Sequence, residues 1–201
     1  MKTDIIQVNS ELEGHEAAVD AAERFSVYNN ISGKEAMHIR LLTEETLSLV
    51  HGILDDFTGN FWLETEHTKK GLLCRLCLSA DKLLNRDQES QFLSVSTSGR
   101  NENARGILGR IREVFRQSLQ TESGTDDAFL QNMADAWAMN GTSGEAFWSL
   151  QSYRQSIAPK KESAEWDELE KSIIAKLADE VKVWLKSDVT EIAVEKYIAR
   201  R

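Results

Sequence analysis

The stretch Leu72-Leu73-Cys74-Arg75-Leu76-Cys77-Leu78 constrains this chain more than any other. Leu72, Cys74, Leu76 and Leu78 recur with period two, the spacing that puts side chains on one face of a strand. A second strand-like run, Asn60 to His67, precedes it, and Thr68-Lys69-Lys70-Gly71 between them suits a hairpin turn. The pair predicts an antiparallel sheet with one face buried. It also decides the Cys74-x-x-Cys77 motif. Residues three apart in a strand point to opposite faces, so the two thiols are expected to pack rather than share a metal or a disulfide.

Helical periodicity surrounds the hairpin. Asp4 to Val8 reads as a short first strand. From Gly14 to about Asn30, Ala18, Ala22 and Phe25 fall at helical spacing. Ser32, with Glu35 three residues on, has the form of a capping box opening a second helix from about Gly33 to Leu54. Met37, Leu41, Leu42, Leu47, Val50 and Leu54 surround that helix and predict that it is largely buried. After the hairpin comes the polar run Ser94-Val95-Ser96-Thr97-Ser98-Gly99. A helix marked by Ile107, Ile111, Val114 and Phe115 follows. Residues 120–180 read as a helical insert with three helices. Phe129, Met133 and Trp137 mark the first, and Asn140-Gly141 stops it. Phe147, Leu150 and Tyr153 mark the second, which ends near Pro159. Trp166, Leu169, Ile173 and Leu177 mark the third. Val181 to Leu185 and Thr190 to Ile198 read as closing strands. The expected fold is α+β: a two-layer sandwich with helices on one face of a mixed, mainly antiparallel sheet, in a single domain over 1–201.

Composition narrows the partners. With 33 acidic against 24 basic residues the formal net charge is -9. The basic residues are scattered, whereas binding to a phosphate backbone is driven by clustered Lys and Arg. Nucleic acid is therefore not an expected partner. No run of about 18 apolar residues occurs, and Met1 to Glu16 lacks the apolar core of a secretory signal. The expected location is cytoplasmic, without membrane contact. His15, His38, His51 and His67 show no metal-ligand spacing, so no metal ligand is assigned.

The element order β-α-α-β-β, polar loop, helices, β-β resembles that of the GHKL ATPases (gyrase, heat-shock chaperone, histidine kinase and MutL types). Within that group the chain is most similar in flavour to the anti-sigma-factor serine kinases of bacteria. Three stretches carry the resemblance. In Leu41-Leu42-Thr43-Glu44-Glu45-Thr46-Leu47-Ser48-Leu49-Val50-His51-Gly52, Glu45 stands where the family has its catalytic base, a carboxylate able to activate the attacking water. Four residues later the family has an Asn that ligates Mg²⁺, but this chain has Leu49. Asp81, at the end of a strand, matches the residue that holds the adenine amino group, although no Gly-x-Gly follows it. The run from Ser98 and Gly99 through Asn103 to Gly106 and Gly109 resembles the glycine-rich lid, whose following helix offers free amides to phosphate.

The resemblance implies a Bergerat-like fold and a nucleotide site formed by Glu45, Asp81, Ser98, Gly99, Asn103, Gly106 and Gly109. An intact site of this kind takes ATP or ADP with Mg²⁺. The missing amide at Leu49 points instead to a degenerate site in a regulatory module that binds another protein. Two alternatives stand beside this expectation. One is an active ATPase or serine/threonine protein kinase with Glu45 as base. The other is a nucleotide-independent scaffold that uses the insert, with Trp137, Trp148 and Trp166 as anchors. Homo-oligomerisation is left open.

Overall fold

The long hairpin forms as its alternation dictates. In a computed structural model, which describes residues 1–54, 56–69, 71–82, 107, 109–111, 146–158, 164–186 and 189–199, strand β2 (Phe57–Thr68) pairs antiparallel with β3 (Gly71–Lys82). Thr68 pairs with Gly71 at the turn, and the Thr68 hydroxyl donates to the Gly71 carbonyl at 2.9 Å. Gly71 has φ +139°, and a Cβ there would meet the Ile198 carbonyl oxygen, so only glycine fits this corner.

Around the hairpin a six-stranded sheet assembles in the order β1-β2-β3-β6-β5-β4. The remaining strands are β1 (Ile6–Asn9), β4 (Ala146–Ser149), β5 (Glu180–Leu185) and β6 (Val189–Ile198). Each strand is antiparallel to its neighbours, so the expected mixed sheet is in fact wholly antiparallel among the described strands. Helices α1 (His15–Tyr28) and α2 (Lys34–Ile53) connect β1 to β2. Helices α3 (Leu150–Ile157), α4 (Ala164–Lys171) and α5 (Ile173–Leu177) lie between β4 and β5. Ile107 and Gly109–Ile111 are helical as well.

One hydrophobic core joins these helices to one face of the sheet. Phe61, Leu63, Leu76, Leu78, Val181, Val183, Ile192 and Val194 supply the sheet side. Ala18, Ala22, Phe25, Ile39, Leu42, Leu47 and Val50 supply α1 and α2, and Leu150, Tyr153, Ile157, Leu169 and Ile174 supply the later helices. Each fully buried Leu, Ile or Phe contributes about 1.5–3 kcal/mol relative to exposure. The molecule is thus an α+β two-layer sandwich.

Three local expectations are corrected. The capping box at Ser32 does not form: Gly33 takes the cap position with φ +59°, and no side chain caps α2. Glu35 instead lies 3.6 Å from His38 Nδ1. Nor is α2 as largely buried as expected, since one flank is exposed. Met37 is 62% exposed, and Arg40, Glu44 and Ser48 continue an exposed flank at helical spacing. The stretch 120–180 contains a strand as well as helices. Phe147 belongs to β4, which pairs with β5, and the helix begins only at Leu150, where the Ser149 side chain accepts from the Ser152 amide.

Candidate functional site

Helix α2 places Glu45 and Leu49 one turn apart on the same stripe. Leu49 is 8% exposed and belongs to the hydrophobic core. Glu45 is only partly buried. Burial raises its carboxyl pKa above the ordinary value, and the neighbouring Glu44 adds to the shift. Glu44 faces outward, where the Arg40 guanidinium bridges it at 3.2 Å and Glu23 of α1 at 2.5 Å. The two adjacent carboxylates therefore differ in environment. One is solvated and paired. The other is partly buried, and its carboxyl pKa is raised by that burial.

The polar groups on the core side of α2 are satisfied within the helix. Thr43 donates to the Ile39 carbonyl at 3.0 Å and Thr46 to the Leu42 carbonyl at 2.6 Å. Thr190 on β6 differs: it is fully buried, and its Oγ1 has no hydrogen-bond partner among the described residues. It sits opposite Ala80 of β3, next to Asp81 in the sequence. Most buried polar side chains in proteins find a partner, so an orphaned hydroxyl needs a reason.

Asp81 lies at the end of β3, between Thr58 of β2 and Val189 of β6, and is exposed. Gly109 lies in the helical segment between the buried Ile107 and Ile111, and is itself buried. Ser98, Gly99, Asn103 and Gly106 lie outside the described residues, so the described part of the expected site is Glu45, Asp81 and Gly109. A magnesium ion does not fit the Leu49 position. The position expected to ligate it is an apolar side chain packed in the core, and an alkyl group offers no lone pair. Of the three tryptophans considered as exposed anchors, Trp148 is buried and Trp166 packs against the core. Trp137 lies outside the described residues.

The cysteines behave as the strand pattern requires. Cys74 and Cys77 are both free and buried. Burial pushes both thiols up to about 12, so neither is a reactive thiolate at neutral pH.

Sequence reasoning missed one juxtaposition. His15 opens α1 and His51 lies in the last turn of α2, and their Nε2 atoms are 3.3 Å apart. Burial lowers both imidazole pKa values, and for His15 the neighbouring His51 lowers it further. The two residues are too far apart in sequence for any spacing rule to link them.

No helix among the described residues is long and apolar enough to cross a membrane. Compared with protein-family models, with curated proteins and with solved structures, the chain gives no match.

Proposed function

We propose that the chain is a GHKL ATPase-like domain with a degenerate nucleotide site, acting as a regulatory module that binds another protein. Leu49 carries this reading. The helix that resembles the family's catalytic helix keeps an acidic residue at Glu45 but turns the expected metal-ligand position into a core contact. Partner binding draws support from the α1–α2 corner, where Val27, Tyr28 and Met37 are all more than half exposed. Exposed apolar side chains near the α1–α2 connection are available to a protein contact.

A second reading, a working ATPase or serine/threonine protein kinase, has two observations in its favour. Burial raises the Glu45 carboxyl pKa, and the buried Thr190 hydroxyl has no hydrogen-bond partner among the described residues. Calorimetric titration with ATP and ADP, with and without Mg²⁺, on wild type and Asp81→Ala separates the readings. The degenerate module predicts weak binding or none, and no turnover. Saturable ATP binding that weakens in Asp81→Ala, with turnover abolished in Glu45→Ala, would overturn it in favour of the enzyme.

A further inference from the structure

His15 at the start of α1 and His51 in the last turn of α2 face each other through their ring nitrogens. Their Nε2 atoms are 3.3 Å apart, with ring centroids 5.1 Å apart and the planes at 67°. That spacing is within hydrogen-bonding range, and it also fits a second arrangement. A tetrahedral zinc ion bound by two imidazole nitrogens at about 2.0–2.1 Å holds those nitrogens about 3.3–3.4 Å apart. The observed spacing is that of two ligands on one such ion.

The backbone around the pair is fixed independently of it. The Asn9 side-chain carbonyl accepts the amides of Glu11 and Glu13, each at 3.0 Å, and its amide donates to the Glu13 carboxylate at 2.7 Å. Gly14 then turns the chain into α1 with φ +78°, so close to the Gln7 carbonyl that no side chain fits. His15 is the next residue. On the other side, the His51 ring meets the buried Phe57 edge-on at 5.1 Å and 77°. The Ser10 hydroxyl donates to Asp56 at 2.8 Å, tying the β1–α1 loop to the segment that follows α2. Both imidazoles are partly accessible to solvent. A neutral imidazole offers one ring-nitrogen lone pair to a metal ion, so each ring can supply one ligand.

We propose that His15 and His51 form a binding site for a divalent transition-metal ion, with Zn²⁺ the leading candidate. Imidazole suits Zn²⁺, Cu²⁺, Ni²⁺ and Co²⁺, whereas Mg²⁺ and Ca²⁺ prefer oxygen. Among the described residues no third His, Cys, Asp or Glu completes a set of three. The ion therefore keeps exchangeable positions, and it pins the start of α1 to the end of α2. The site is independent of the nucleotide reading and uses none of its residues.

The test is titration of the apo-protein with Zn²⁺ by calorimetry and with Co²⁺ by visible absorption. Wild type, His15→Gln, His51→Gln and the control His67→Gln are compared, with circular dichroism to verify folding. One ion per chain is expected, with affinity falling at least tenfold in both site variants and unchanged in the control. In wild type, Zn²⁺ should shift the imidazole NMR signals of His15 and His51 and leave those of His38 and His67 in place. This readout needs no variant to fold. Absence of binding to wild type, binding that survives in both site variants, or unchanged His15 and His51 signals would overturn the proposal.

Discussion

The two faces of the sheet are built from the same strands by opposite means. Toward the helices, β3 presents Cys74, Leu76, Leu78 and Ala80, all buried, against the side chains of α1, α2 and the later helices. Toward the other side it presents Leu73, Arg75, Cys77 and Ser79. There Arg75 sits in register between Glu64 of β2 and Glu195 of β6. Its guanidinium reaches Glu195 at 3.2 Å, Glu66 at 2.9 Å and Glu64 at 3.6 Å, and Lys182 of β5 reaches Glu195 at 3.1 Å. Aromatic contacts flank this charged row. The Lys2 ammonium lies 4.3 Å over the Trp62 ring, and Phe147 and Trp184 pair across β4 and β5 at 5.5 Å. The helix-covered face is held by area removed from water. The second face is held by cross-strand ion pairs and partial burial, which contribute less per residue.

Substitutions on the two faces should therefore differ in cost. The largest effect is expected from Leu76→Ala on the helix-covered face. Removing a fully buried leucine should cost about 2–5 kcal/mol, measured as a lowered urea midpoint. Glu195→Gln on the second face should cost about 1–2 kcal/mol, because it leaves Arg75 and Lys182 without their shared carboxylate. That loss should shrink at high salt. If Glu195→Gln proves as costly as Leu76→Ala, and salt-insensitive, the distinction between the faces fails. The smallest effect is kinetic. Cys74 is 0% exposed and Cys77 is 9% exposed on the opposite face, so a thiol reagent should modify Cys77 first in the native state. Equal rates would mean that both thiols become accessible only through opening of the whole sheet.

The pattern of legible and illegible features has a physical basis. The hairpin, the two long N-terminal helices and the closing strands were readable because each carries a single uninterrupted period, as Leu72, Cys74, Leu76 and Leu78 do. β4 was not. Phe147, Leu150 and Tyr153 continue one helical stripe, and four residues of strand are too few to impose a period of their own. Ser32 and Glu35 match a capping pattern that the backbone sets aside at Gly33, whose positive φ costs nothing without a Cβ. In the candidate site, Glu45, Leu49 and Asp81 were identifiable by position along their elements. The burial of the Thr190 hydroxyl and the facing of His15 with His51 were not, because both arise when segments distant in sequence pack together.

The place of β6 in the sheet bears on how the chain acquires its structure during synthesis. The first three strands and both long helices are made early, yet one edge of β3 stays open until Val189 to Ile198 has emerged, since Asp81 pairs with Val189 and Leu72 with Ile198. While residues 83–188 are being made, β3 carries an unpaired edge beside a strongly apolar face, the kind of edge that recruits other chains. A ribosome that stalls before β6 releases a fragment with that edge exposed, so such fragments should be aggregation-prone substrates for chaperones and proteases.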